Sequence, residues 1–107
     1  MTATVKTLEP NGMLDGATTL ELKNQVTDVL KHGADIVLLN MKDVTFMNSS
    51  GIGALVAILK MVREKEKQLY LCGLTDQVKM IFQLTKMDRV FKPLLDQEEF
   101  EAKILAT

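Results

Sequence analysis

Ile36-Val37-Leu38-Leu39, then Ile52 to Val62, then Leu69-Tyr70-Leu71-Cys72 are the three segments that decide the fold. The two four-residue runs are continuously apolar, the pattern of strands buried on both faces. The segment between them is too long and too evenly apolar for anything but a helix. A strand, a helix and a strand in that order make a right-handed crossover with the strands parallel. The expectation is an α/β domain with a central mixed sheet of about four or five mostly parallel strands and about four helices.

Outward from this centre the punctuation is brief: Pro10-Asn11-Gly12, Gly33, Asn48 to Gly51, Gly73 and Pro93. Upstream, residues 4–9 and Met13-Leu14 read as strand pieces around a turn at Asn11-Gly12. From Ala17, the residues Leu22, Val26, Val29 and Leu30 recur at helical spacing, and the helix ends at Lys31-His32 with Gly33 as its C-terminal glycine. Downstream, Thr75 caps a helix marked by Val78, Ile81, Phe82 and Leu84 and running to about Met87. Arg89 to Lys92 reads as a short edge strand. Asp96 then opens a last helix, over 96–106, with Phe100 and Ile104 four apart.

The 107 residues fit a single domain over 1–107, with a core of Leu, Ile, Val and Met, since only 5% of residues are aromatic and none is Trp. Thirteen basic residues nearly cancel fourteen acidic ones, so no broad positive field exists to attract nucleic acid or anionic lipid. Cys72 is the only cysteine, which excludes an internal disulfide and a cysteine metal cage. The start of the chain lacks the apolar stretch of a signal peptide, and Ile52 to Leu59 is too short to span a bilayer. A soluble cytoplasmic protein without metal or cofactor is expected.

The residues with chemistry to offer lie between Asp43 and Leu55. Asn48, Ser49 or Ser50 can cap the following helix, while Gly51 and Gly53 leave its first turn bare. This is good capping chemistry, and it is also where a phosphate would find unpaired N–H groups and the positive end of the helix dipole. At 100° per residue the helix carries two apolar stripes. Ile52, Leu55, Val56, Leu59 and Val62 face the core; Ala54, Ala57, Ile58 and Met61 lie opposite, either against a neighbouring helix or as a docking patch beside the serines.

Catalysis finds little support. His32, the only histidine, sits at a helix end where it complements the dipole. Met47 stands where a Gly-x-Ser-x-Gly elbow around Ser49 requires glycine. Asp15, Asp43, Glu64 and Glu66 form no recognised acid/base or metal spacing; Asp15 suits a cap and Asp43 the loop before the serines. Cys72 reads as a small core residue.

The run from Asp43 to Leu55, with Thr45, Phe46, Ser49, Ser50, Gly51, Ile52, Gly53 and Leu55, resembles the signature of the STAS family, in particular its free-standing anti-sigma factor antagonists. Gly12-Met13-Leu14-Asp15 is similar to that family's turn into its first helix. The resemblance implies a partner switch. The unphosphorylated antagonist binds a serine-kinase anti-sigma factor and frees the sigma factor; phosphorylation blocks binding, and a metal-dependent serine phosphatase reverses it. By position the acceptor is Ser49, with Ser50 second. The expected partner surface is Asp15, Asp43, Asn48, Gly51, Ile52, Gly53, Ala54, Ile58 and Met61. Where the family usually places Asp before the acceptor, this chain has Asn48. A constitutive interaction module of the same fold and a small-ligand sensor are the rival readings.

Overall fold

The computed structural model describes residues 3–105. The chain runs β1 (Val5–Leu8), β2 (Asn11–Leu14), α1 (Gly16–Lys31), β3 (Ile36–Asn40), β4 (Asp43–Met47), α2 (Ser49–Glu64), β5 (Gln68–Cys72), α3 (Asp76–Thr85), α4 (Met87–Phe91), α5 (Gln97–Phe100) and a π-helical turn, Glu101–Leu105.

Every strand pairing is parallel, as the crossover reading requires. The strands form a three-stranded sheet, β1-β3-β5, and a two-stranded sheet, β2-β4. The smaller sheet continues the larger one through a break. Leu8 pairs with Leu39 and Asn11 with Asp43, so Glu9 and Pro10 on one strand face Asn40, Met41 and Lys42 on the other. A second slip follows Gly12, and Thr45 becomes the extra residue of a bulge.

Two details differ from the sequence reading here. Asn11-Gly12 is not a turn between two strand pieces: both residues belong to β2, and Gly12, at φ +72°, marks the bulge. Asp43 to Met47 is a strand rather than a loop. Its alternation is broken, with Val44 and Met47 buried and Asp43, Thr45 and Phe46 exposed, because the bulge shifts the inward face by one residue.

The continuous apolar run of β3 is explained by layers on both faces. Val37 and Leu39 join the main core with Leu22 and Val26 of α1 and Leu55, Leu59 and Val62 of α2. Ile36 and Leu38 point the other way and are covered by Phe100, with Ile104 packed alongside. Burying each of these large side chains contributes about 1.5–3 kcal/mol.

Arg89 to Lys92 is not an edge strand. Lys86 and Lys92 both take left-handed backbone, at φ +62° and +47°, and bracket the short helix α4. Helical spacing puts Met87 and Phe91 on one face toward the core, with the Phe91 ring 5.8 Å from the Phe82 ring. The edge of β5 is instead met by Leu94, whose N–H donates to the Leu71 carbonyl at 2.9 Å. The final helix begins at Asp96 as expected, then widens to the π turn after Phe100; residues 106 and 107 lie outside the described residues.

Candidate functional site

The ends of β2 and β4 deliver two helix starts to one place. At the first, Asp15 Oδ1 accepts from the Ala17 and Thr18 N–H groups at 3.0 and 2.9 Å, and the Thr18 hydroxyl accepts from the Asp15 N–H at 2.9 Å. This capping box is closed on itself. The Thr18 N–H, then the Thr18 hydroxyl, hold the Asp15 carboxyl below its ordinary value of 3.8. At the second start, Asn48 Oδ1 accepts from the Gly51 N–H at 2.8 Å.

The two starts are pressed together at Gly51. A Cβ there would lie 2.1 Å from the Leu14 carbonyl oxygen, and the Asn48 N–H donates to that same oxygen at 3.3 Å. Only glycine permits this approach. Beside it, a Cβ at Gly16 would lie 3.8 Å from Ser50 Cβ.

Ser49 and Ser50 are the first two residues of α2, and both are exposed. Neither hydroxyl makes a hydrogen bond among the described residues. Their N–H groups belong to the first turn, which has no carbonyls of its own helix to meet. The surface that continues from them along α2 is Gly53, Ala57 and Lys60, all exposed, with Gly53 open to space on the side where a Cβ would stand. The small sheet also carries two exposed apolar side chains. Met13 and Phe46 are register partners, 45% and 47% exposed.

Several residues expected at the partner surface lie elsewhere. Ile58 is fully buried, because α1 packs against this flank of α2; at Ile58 and Met61 the second apolar stripe is a helix–helix contact, and only Ala57 of it stays exposed. Met61, half-buried on the same flank, has its sulfur 3.6 Å from the Thr27 hydroxyl, and Ala54 is also half-buried. Gly51 is buried by the Leu14 contact. Asp43 stands at the opposite end of β4 from the serines, roughly 13 Å of strand away. Asn48, Ile52 and Gly53 do cluster with Ser49 at the start of α2. Met13 and Phe46 escaped the sequence reading because β4 was taken as a loop, which hid their pairing.

Among the described residues no cluster of His, Cys, Asp or Glu could hold a metal ion, and no helix is long and apolar enough to cross a membrane. His32 caps the end of α1, its ring nitrogen 2.8 Å from the Asp28 carbonyl. Cys72 is buried, and burial pushes its thiol pKa up, away from reactivity.

Known proteins are similar to this chain in sequence and fold. The family model for the STAS domain matches residues 2–102. An anti-sigma-B factor antagonist of Staphylococcus aureus is 32% identical over 74 residues, which cover 69% of this chain and 68% of that protein. A putative anti-sigma factor antagonist from Thermotoga maritima superposes with a TM-score of 0.79 at 25% identity, covering 96% of this chain and 88% of its own. The anti-sigma factor antagonist SpoIIAA, in its unphosphorylated form, gives a TM-score of 0.72 at 16% identity over 95% of this chain and 90% of its own, a likeness of fold. With the model spanning nearly its whole length and the staphylococcal relative matching over two thirds of it, the chain belongs to the STAS domain family.

Proposed function

We propose that this protein is an anti-sigma factor antagonist switched by phosphate on Ser49. The observation that carries the proposal is the pair of exposed, unengaged hydroxyls at the positive start of α2, next to a face of small side chains. The staphylococcal relative's role supports the same reading. Ser49 is preferred because Ser50 stands beside Gly16 of α1.

In the unphosphorylated state the surface of Ser49, Ile52, Gly53 and Ala57, extended by Phe46 and Met13, docks a serine-kinase anti-sigma factor, and a sigma factor is released. Phosphate on Ser49 places about two negative charges in that contact. Left unpaired in a closed interface, they cost a few kcal/mol, roughly a hundredfold or more in affinity. A metal-dependent serine phosphatase restores binding. Asn48 supplies the helix cap without the charge that the family usually sets before the acceptor.

The test combines phosphopeptide mapping of the protein from its host under several growth conditions with binding of Ser49→Ala and Ser49→Asp to the cognate anti-sigma factor. Phosphate on Ser49 that varies with condition, together with binding lost only in Ser49→Asp, is the expected result. Equal binding by both variants and no phosphate on either serine would replace the switch with a constitutive interaction module.

A further inference from the structure

At the opposite end of α2 from the serines lies a cavity of about 450 Å³, within the range of small-molecule sites, roughly 300–1,000 Å³. Its walls are apolar: Leu59 from α2, Leu69 and Tyr70 from β5, Phe91 from α4 and Ile104 from the π turn. Three cations, Arg63, Lys67 and Lys92, stand on its lining, and no acidic residue does. In a chain of net charge −1 this is a local concentration of positive charge. Lys67 is paired with Asp35 at 3.1 Å, whereas Arg63 and Lys92 have no carboxylate partner among the described residues.

Two features of the chain's path build this site. Lys92 holds left-handed backbone at φ +47°, which ends α4 and turns the chain toward β5, with Lys92 on the lining of the cavity. The helix after Phe100 widens into a π turn, a form found mostly as single turns and often at functional sites, and Ile104 of that turn closes one wall. An apolar interior with unpaired cations at its edge selects a ligand with both characters.

We infer that this cavity binds a small amphipathic anion, a carboxylate or phosphate head on an apolar body, with Arg63 and Lys92 holding the head and Leu59, Leu69, Phe91 and Ile104 the body. The site is independent of Ser49. Its anion selectivity rests on two exposed cations, so affinity falls with added salt.

The experiment is titration of the full ¹⁵N-labelled chain with decanoate and with decyl phosphate below their micelle concentrations, with decanol and inorganic phosphate as controls. Saturable binding of either amphiphile, with amide shifts at residues 68–70 and 90–92 rather than 49–53, is expected. The better binder of the two identifies the head as carboxylate or phosphate. The double variant Arg63→Gln/Lys92→Gln, altered only at exposed positions, should keep its melting temperature and weaken binding roughly tenfold. Absence of saturable binding by both amphiphiles, decanol binding as tightly as they do, or unchanged affinity in the double variant would each overturn the inference.

Discussion

Gly51 and Gly53 stand two residues apart on α2 and meet opposite surroundings. A methyl at Gly51 would collide with the Leu14 carbonyl, a backbone atom that cannot swing aside, whereas one at Gly53 meets nothing within 4 Å. Gly51→Ala should therefore lower the unfolding free energy by about 2–3 kcal/mol. Gly53→Ala should raise it by about 0.5–1 kcal/mol, because alanine loses less backbone entropy in a helix. Urea titrations followed by far-ultraviolet circular dichroism separate the two; equal effects would mean that the helix starts are not in contact. The importance of Gly51 could be suspected from the sequence, but its reason could not, since the partner is a carbonyl thirty-seven residues upstream.

At the scale of elements, α3 and α4 meet at Lys86, a side-chain-bearing residue held at φ +62°. Glycine adopts this backbone without the steric penalty that Cβ imposes. Lys86→Gly should stabilise the protein by about 0.5–1 kcal/mol net, read as a higher urea midpoint with an unchanged slope. A lower midpoint would show that the lysine stem contributes packing that outweighs the strain. Elements whose burial repeats at one period were legible in the sequence. The β3 and β5 runs, the stripe of α1 and the Thr75 and Asp96 caps all stand where their residues predict. The misread elements are those whose period is broken by distant geometry. In β4 a bulge shifts the inward face, and around α4 two left-handed lysines fold five residues into a turn that apolar content alone describes equally well as a strand. The candidate site could be read as a helix start with bare glycines and serines; the exposed pair Met13 and Phe46 could not, because that pairing exists only once β2 and β4 lie side by side.

Across the whole molecule, one aspartate ties distant parts of the chain together. Asp35 accepts from the Thr4 N–H at 2.9 Å and from Lys67 at 3.1 Å, joining the approaches to β1, β3 and β5; that N–H first, then Lys67, holds its carboxyl below the ordinary 3.8, as Thr18 does for Asp15. A carboxyl whose folded pKa lies below its unfolded one stabilises the fold fully above the unfolded value, and that contribution disappears as pH falls through the folded value. Urea midpoints should thus be level from about pH 7 to about pH 5 and fall below about pH 4, with Asp35→Asn flattening part of the fall. An unchanged profile in that variant would remove Asp35 from the account. The contact between Gly51 and the Leu14 carbonyl also bears on the proposed switch. In the switch proposed above, a helix start seated on backbone would hold its place when phosphate is added to Ser49, so modification would change what the surface repels rather than the fold. Such a device would need no slow structural relaxation. In that reading the fraction of molecules able to bind would follow the momentary balance of the proposed kinase and phosphatase.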